Sequence, residues 1–463
     1  AARRGRTRPG GGAPMTVTET LAVTEPSPRS PDFDVIVVGA GPAGSAAALT
    51  AARGGLRVAL LERGPFPGSK NMYGGVIYPR VLDSLIPRWW DEVPLQRWIT
   101  RRSTMIATPT QSLTVDFRTQ AWAAPPYNGL TTYRSEFDPW LAQKAVDAGA
   151  VLVTSTTAVG LIRDAAGAVC GVRTDRPDGD LRAPLVVACD GINSFLAKEA
   201  GLYDSWSAEH VTLGAKEVLA LPREEIEARF GLVGREGVDI EMLGVAGGVP
   251  GGGFLYTNLD TISVGIVVSV TGLAESKVRP EEGIDRVKRH PSIAPYLRGA
   301  TLVEYSAHTI PEGGYDTMPG LVADGLLVAG DAAAMCLAAG IWLEGVNFAI
   351  GAGAAAGETA VDALERKDFT AAGGLSSYRR RLDSGFVLAD HRRFRGAPEL
   401  VLSGRVQQLY PGLVCDLAEK VFTVTNPVPK QGVLRLLRET AKEHGIRLRD
   451  VLRDGHAAWK TYG

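Results

Sequence analysis

The spacing of apolar and polar positions along the chain predicts two kinds of strand. Short apolar runs at residues 33–38, 56–61, 185–189 and 325–331 are typical of parallel strands that are buried on both faces. Residues 261–270 alternate instead, with Ile and Val at every second position, which predicts an antiparallel strand with one buried face. The pattern therefore predicts an α/β fold with a second, antiparallel sheet.

Helical patterns separate these strands. Residues 42–53 form a small-residue segment that stops at a Gly-Gly pair, and residues 133–148 and 346–364 also have helical character. Residues 151–159 predict a further strand after the second helix. From residue 376 onward the chain is helical, basic and amphipathic in patches, which predicts a packed C-terminal cap. A docking face for a membrane or a partner is the alternative for this region.

Composition narrows the class of protein. A chain of 463 residues is too long for one simple core, so it predicts two or three domains. The net charge of −1 gives no indication of nucleic acid binding. The most apolar region, residues 326–356, is interrupted by Asp331 and Glu344, so no clean transmembrane segment is predicted.

The cysteines are few and scattered. Because they include no C-x-x-C pair, they argue against a disulfide framework and against a zinc or iron–sulfur site formed by this chain alone. A reducing, cytoplasmic environment is the natural interpretation, with the inner face of the cytoplasmic membrane as an alternative location. The four residues are Cys170, Cys189, Cys336 and Cys415.

A complete G-x-G-x-x-G joins the first predicted strand to the first helix. Gly39 permits the tight turn, Gly41 lets the backbone approach a pyrophosphate, and Gly44 lets the helix pack closely on the sheet. The free N–H groups at the helix start favour phosphate. Glu62 ends the second strand, where ribose hydroxyls are bound in such folds. This stretch predicts dinucleotide binding and leaves NAD and FAD both open.

A second set of strand-end residues distinguishes the two nucleotides. Asp190 follows the strand at residues 185–189, and Gly330-Asp331 ends the strand that begins at residue 325. A domain that binds only NAD has no need of Asp331, whereas the ribityl hydroxyls of FAD require further hydrogen-bond partners. A helix that starts near Val346 can direct N–H groups at a flavin ring. The two motifs together predict FAD.

The order of these motifs resembles that of a known family. The stretches GAGPAGS, LLERG, ACDGINS and LVAGDAA are similar to the geranylgeranyl reductase and p-hydroxybenzoate hydroxylase type of flavoprotein. More specific stretches resemble the FixC branch, the flavin subunit of electron-transfer-flavoprotein:quinone oxidoreductases. They are residues 68–71 (GSKN) with Gly74-Gly75, 251–258 (GGGFLYTN), 302–308 (LVEYSAH) and 329–336 (AGDAAAMC).

The resemblance implies a reaction and a set of contacts. Electrons delivered singly by a reduced electron transfer flavoprotein would pass through FAD to a membrane quinone, and a separate ferredoxin-like subunit of the FixX type would carry the iron–sulfur cluster. No catalytic side chain and no metal ligand is predicted. The residues expected at FAD are Gly39, Gly41, Gly44, Glu62, Arg63, Lys70, Asn71, Gly75, Arg134, Asp190, Gly330, Asp331, Gly345 and Asn347.

The expected architecture is a Rossmann-like FAD-binding domain, an interleaved antiparallel-sheet (α+β) substrate domain and a helical C-terminal cap. The predicted ranges are 1–31 for a disordered N-terminal tail, 32–80, 130–204 and 311–375 for the FAD-binding domain, 81–129 and 205–310 for the substrate or quinone domain, and 376–463 for the cap.

One loop departs from the family pattern, and two other functions stay open. Residues 340–345 (GIWLEG) are bulkier than expected, so Trp342 and Glu344 are expected to alter the flavin potential or the access of quinone. The alternatives are a geranylgeranyl reductase-like or monooxygenase enzyme acting on an apolar small molecule, and a non-catalytic flavin-binding scaffold. A peripheral membrane contact is a further option, for which Trp89 and Trp90 are the candidate aromatics.

Overall fold

A six-stranded and a nine-stranded sheet form the framework of the protein, with smaller three-stranded and two-stranded sheets beside them. The computed structural model describes residues 30–70 and 75–463, and the predicted tail before residue 30 lies outside the described residues. The strands are β1 (Val35–Val38), β2 (Val58–Leu61), β3 (Gly75–Ile77), β4 (Arg97–Ala107), β5 (Ser112–Arg118), β6 (Leu130–Thr132), β7 (Val151–Val153), β8 (Ala158–Arg163), β9 (Val169–Thr174), β10 (Leu181–Arg182), β11 (Leu185–Ala188), β12 (Val211–Ala220), β13 (Glu236–Leu243), β14 (Gly251–Thr257), β15 (Thr261–Ser269), β16 (Thr301–Pro311), β17 (Val322–Ala323), β18 (Leu326–Val328), β19 (Leu337–Ala338) and β20 (Leu343–Glu344).

The helices lie on the first sheet, beside the second, and in the C-terminal region. They are α1 (Pro42–Arg53), α2 (Arg134–Asp147), α3 (Phe195–Glu199), α4 (Arg223–Phe230), α5 (Val270–Ser276), α6 (Pro280–Arg289), α7 (Ala294–Leu297), α8 (Val346–Arg366), α9 (Ser376–Ser384), α10 (Phe386–Arg393), α11 (Ala397–Val401), α12 (Tyr410–Phe422), α13 (Val433–Glu443) and α14 (Leu448–Tyr462).

The first sheet has the strand order β17-β18-β11-β1-β2-β7. The five strands from β18 to β7 run parallel, and every residue of β1, β2, β11 and β18 is buried. This burial explains why these strands read as unbroken apolar runs. Because parallel strands end at one edge of a sheet, the residues that follow β1, β2, β11 and β18 lie near each other.

Helices α1 and α8 cross each other at two glycines of α8. A Cβ atom at Gly353 would lie 2.0 Å from the carbonyl oxygen of Ala43, and one at Gly357 would lie 2.6 Å from Cβ of Thr50. These two glycines form a G-x-x-x-G motif. The structure shows that it packs on α1, because only residues without side chains let two helix backbones come this close.

The predicted strand at residues 151–159 is wrong in its extent. The structure divides it into β7, which joins the parallel sheet, and β8, which pairs with β9 in the three-stranded sheet. Ser155 adopts a left-handed backbone (φ 51°) between them and turns the chain. Apolar periodicity did not reveal this change of sheet, since both pieces carry the same residue types.

The second sheet is antiparallel for the most part, with the order β16-β12-β15-β14-β13-β4-β6-β3 and β5 on β4. The antiparallel strand predicted at residues 261–270 is confirmed as β15, which pairs with β14 in a hairpin. Ile262, Val264, Ile266 and Val268 share a face and join one buried apolar cluster. Val270, expected on the same face, instead begins α5.

The tryptophans proposed for a membrane contact do not form an exposed pair. Trp89 is fully buried, its indole N–H donates to Asp83 (2.8 Å), and its ring lies 5.6 Å from that of Trp90. Trp98 packs against them from β4, with its ring 6.1 Å from that of Trp89. The three rings therefore contribute to the interior.

Candidate functional site

The glycine turn between β1 and α1 requires glycine at two of its positions. Gly39 has φ 99°, and a Cβ atom there would lie 2.3 Å from the carbonyl oxygen of Cys189. A Cβ atom at Gly44 would lie 1.8 Å from the carbonyl oxygen of Gly39. At Gly41 the space is open, since the nearest atom is Nη2 of Arg134 at 3.9 Å. The glycine turn is therefore tightly packed at Gly39 and Gly44, whereas the space at Gly41, where α1 starts, is open.

The start of α1 suits an anion. The helix has no side-chain cap and no acidic residue in its first turn, so its first N–H groups are directed toward the open space at Gly41. Glu62 is buried beside the turn, where its carboxylate accepts hydrogen bonds from the backbone N–H of Ala40 (3.1 Å) and of Gly64 (2.6 Å). Each carboxylate oxygen keeps a second lone pair for a ribose hydroxyl.

Gly330 brings the downstream motif next to the first turn of α1. It has φ 71°, and a Cβ atom there would lie 2.9 Å from Cβ of Ala43. Ala43 also touches Gly353 of α8, as described above. Two motifs that are far apart in sequence therefore meet at one residue of α1, and Asp331 is placed beside the glycine turn.

A charged group surrounds Asp331. Arg134 makes a two-pronged ion pair with the buried Asp138, at 2.6 and 2.8 Å. Burial raises the pKa of Asp331, while the charges of Arg134 and His308 lower it. Burial lowers the pKa of His308, which Asp331 in turn raises. The guanidinium of Arg134 lies 3.9 Å from the Cβ position of Gly41 and interacts electrostatically with Asp331, so it can neutralise phosphate or carboxylate charge.

The start of α8 forms the other boundary of this site. Gly345 precedes the helix, which has no side-chain cap, and the amide of Asn347 donates to the carboxylate of Glu344. Burial raises the pKa of Glu344. In the same loop, the Trp342 ring packs 4.9 Å from that of Phe394 and 6.3 Å from that of Tyr462. Trp342 is therefore fixed against the C-terminal helices.

Of the remaining predicted residues, Asp190 adjoins the glycine turn, with its Cα 3.4 Å from the Cβ position of Gly39, and Arg63 interacts electrostatically with Asp190 and His308. The carboxylate of Asp190 accepts a hydrogen bond from the hydroxyl of Ser194 (2.6 Å). Arg63 and Lys70 are exposed, and Gly75 starts β3 at the edge of the second sheet. Asn71 lies outside the described residues. A cofactor role for these five positions, as for the other predicted site residues, stays a prediction.

These features fit FAD. The open space at Gly41 admits a pyrophosphate, Glu62 suits a ribose, and Asp331 suits the ribityl chain at the point where α1 and α8 meet. Gly39, Gly44 and Gly330 would hold the turns around it, and the start of α8 would lie near the ring. When bound, the flavin supplies redox chemistry that no side chain can supply.

A group of buried and half-buried polar residues on the second sheet was not anticipated. Strand pairing puts Lys216, Tyr256, Asp239, Arg102 and Glu241 on one face, opposite the apolar cluster. Their alternation with apolar residues is ordinarily the mark of a solvent-facing side. Here that side of the sheet is covered, so the alternation alone did not predict the burial of these polar residues.

Contacts link the members of this polar face. The ammonium of Lys216 lies 3.2 Å from the hydroxyl of Tyr256. Arg102 is 2.7 Å from Glu241 and 3.7 Å from Asp239. Burial raises the pKa of both carboxyls, and Arg102 opposes that rise. The charges of Arg134 and Glu344 reach this face from the side of the glycine turn.

The fold and site define a class, which comparison with known proteins supports. The chain matches the FAD binding domain family over residues 32–223 and the "ETF-QO, ubiquinone-binding" family over residues 211–310. Among solved structures, a geranylgeranyl bacteriochlorophyll reductase-like protein from Thermoplasma acidophilum has a TM-score of 0.67 at 21% identity, covering 89% of this chain and 98% of that one. The myxobacterial chondrochloren halogenase, an FAD-dependent halogenase, has a TM-score of 0.61 at 19% identity, covering 89% and 96%. The class is therefore that of FAD-binding flavoproteins.

Curated relatives give the family. The chain is 38% identical over 424 residues to the probable electron transfer flavoprotein-quinone oxidoreductase YdiS of Escherichia coli (strain K12), covering 91% of this chain and 97% of that protein. It is 40% identical over 394 residues to the FixC protein of Azotobacter vinelandii, covering 85% and 90%. The chain belongs to the FixC family of electron-transfer-flavoprotein:quinone oxidoreductases and is an FAD-dependent oxidoreductase, as the sequence motifs predicted.

Proposed function

We propose that this chain takes electrons from a reduced electron transfer flavoprotein and passes them through FAD to a membrane quinone. The observation that carries the proposal is the ubiquinone-binding match at residues 211–310, which spans β12 to β15 and most of β16. These strands supply Lys216, Tyr256 and Asp239 to the polar face described above. Such a face, with Arg134 of the flavin site within electrostatic reach, suits an acceptor with two carbonyl oxygens.

We also propose a separate ferredoxin-like subunit of the FixX type as the carrier of an iron–sulfur cluster. Its support is the cysteine arrangement. Cys170, Cys189, Cys336 and Cys415 are all free, and Cys189 and Cys415 are buried in different parts of the fold. Four thiolates gathered at one point are needed for a typical cluster, so such a cluster would belong to a partner.

A peripheral membrane contact is part of the proposal. Within the described residues, none of the helices combines the length and apolar character needed to span a bilayer. Between α12 and α13, however, Phe422 is 75% exposed and Val424 is 69% exposed, with Val428 and Leu434 also exposed nearby. An exposed apolar group of this kind marks a contact with a membrane or a protein, and it supports this segment in place of the buried Trp89.

The test separates the two half-reactions. The purified protein is loaded with FAD and mixed with a reduced electron transfer flavoprotein, and the flavin absorbance is followed. A water-soluble quinone analogue is then added. We expect bleaching in the first step and recovery in the second. Absence of both half-reactions, together with reduction or oxygenation of a prenyl or other apolar substrate, would contradict the proposal.

A further inference from the structure

The polar face of the second sheet buries a lysine. Lys216 is 0% exposed in the middle of β12, between β15 and the edge strand β16. Gly265 lies opposite it on β15, and because that glycine has no side chain, the lysine can extend across the sheet toward Tyr256. Burying an ammonium group is costly, so a strand position that keeps one calls for an explanation.

The surroundings of Lys216 weaken its hold on a proton. Its ammonium lies 3.2 Å from the Tyr256 hydroxyl and 5.8 Å from the centre of the Tyr256 ring. Burial is the largest influence on its pKa and lowers it, the charge of Glu304 raises it and the charge of Arg134 lowers it, and together they bring the pKa from 10.5 to about 7. Lys216 therefore changes between its charged and neutral forms near neutral pH.

A second feature of the same face points to a ligand. Ser306 pairs with Lys216 across β12 and β16, and its buried hydroxyl has no hydrogen-bond partner among the described residues. Burial lowers the pKa of His308, two residues along the same side of β16. A buried hydroxyl left unpaired on the strand next to Lys216 is suited to a ligand with hydrogen-bonding oxygen atoms.

We propose that Lys216 donates the protons that the electron acceptor takes up with its electrons. This inference rests on the proposed function, in which the acceptor is a quinone. A quinone must gain two electrons and two protons to become a quinol, and electrons that arrive singly bring no protons with them. Lys216, which pairs with Ser306 across the strands and lies within electrostatic reach of Arg134 in the flavin site, is a buried group that can supply them.

The step balances as two identical halves. One electron leaves the reduced flavin for the quinone, an N–H bond of Lys216 breaks, and an O–H bond forms at a quinone oxygen. The N–H electron pair stays on nitrogen as the lone pair of a neutral amine. Protons that the flavin loses on oxidation return to solvent. After each half, Lys216 regains a proton from solvent through Glu304, a half-buried carboxylate on the same side of the edge strand β16.

The test uses the FAD-loaded protein and two acceptors. The flavin is reduced anaerobically and mixed with decylubiquinone, or with ferricyanide, which takes an electron without a proton. For the wild type we expect the quinone rate to fall as pH rises through about 7, because only the ammonium form of Lys216 can donate. We expect Lys216→Met to lower that rate by about 10²–10⁴-fold and to abolish this pH dependence. The ferricyanide rate should be unchanged.

Two further variants complete the comparison. Lys216→Arg keeps the positive charge but does not release a proton in this pH range, so it should be as slow with quinone as Lys216→Met. Lys288→Met is the matched control, because Lys288 pairs with Glu217, the next residue of β12, on the opposite face (2.7 Å). It should keep the wild-type rate and pH profile.

The outcomes separate the two proposals. Variants of Lys216 that keep the wild-type quinone rate and pH profile would overturn this inference alone. A wild type that reduces ferricyanide but no quinone would overturn the proposed function and, with it, the inference. Were both Lys216 variants to lose flavin, NMR titration of lysines carrying ¹³C at Cε in the wild type would decide. A buried lysine titrating near pH 7 would support the role, and its absence would overturn it.

Discussion

The crossing of α1 and α8 offers a direct test of how packing supports the flavin site. Gly353 faces Ala43, a first-turn residue of the helix whose start would bind the pyrophosphate. A Cβ atom at Gly353 would lie 2.0 Å from the carbonyl oxygen of Ala43, whereas ordinary contacts begin at 3.4 Å. The carbonyl oxygen of Ala43 belongs to the main chain, so it cannot rotate away from the added Cβ atom. Gly353→Ala must therefore separate the helices by about 1.4 Å.

The cost follows from two opposing effects. Forcing an extra carbon into a packed interior costs about 1–3 kcal/mol, and a main-chain obstacle favours the upper end of that range. Replacing glycine by alanine within a helix returns about 1 kcal/mol. We therefore expect Gly353→Ala to lower the free energy of unfolding by about 2 kcal/mol. The same displacement would move the start of α8 away from α1, so FAD affinity should fall as well.

Urea unfolding followed by far-ultraviolet circular dichroism measures the first effect, and flavin released on gel filtration measures the second. Gly455→Ala is the control, because it lies inside α14 with nothing within 4 Å of the added carbon. That variant should gain about 0.5–1 kcal/mol. If Gly353→Ala matched Gly455→Ala in stability and kept its flavin, the inferred close approach of the two helices would be refuted.

Two more predictions concern the cofactor and the membrane. Asp331→Ala should leave a folded protein with FAD affinity lower by about 1.5–3 kcal/mol, roughly 10- to 150-fold, because a charge-assisted hydrogen bond is lost. Flavin titration measures the change, and unchanged affinity would contradict the assigned role. Phe422→Ser combined with Val424→Ser should abolish flotation with liposomes. The control Val159→Ser, at a 57% exposed position on β8, should float like the wild type. Equal flotation of all three proteins would exclude the α12–α13 segment as the contact.

The first half of the flavin site was predictable because one local pattern contains nearly all of it. The G-x-G-x-x-G turn, its strand and helix, and Glu62 lie within about thirty residues, and each has a stereochemical reason that can be read locally. Helix α1 begins and ends as predicted, at Pro42 and Arg53. The second half of the site depends on two strand ends that are far apart in sequence. The rule that parallel strands end at one edge of a sheet was nevertheless enough to associate Asp331 with the glycine turn.

The polar face of the second sheet could not be predicted in the same way. Asp239 and Glu241 alternate with apolar residues, and period-two alternation states only that a strand has two different faces. It does not say what covers the polar one. Lys216 was no easier, since a single lysine in a strand is ordinarily a surface residue. Burial of this face depends on how the two sheets pack, which is information from tertiary structure.

The two sheets differ in the kind of atoms that they present to a ligand. The first sheet would bind FAD through main-chain atoms and turns, and the close approaches at Gly39, Gly44 and Gly330 leave no space for a side chain. The second sheet presents charged side chains instead, and it keeps Lys216 and Asp239 buried at a cost to stability. A cofactor used only to carry electrons would require just the first arrangement. The buried charged side chains of the second sheet favour a reaction in which protons move with the electrons, as reduction of a quinone requires.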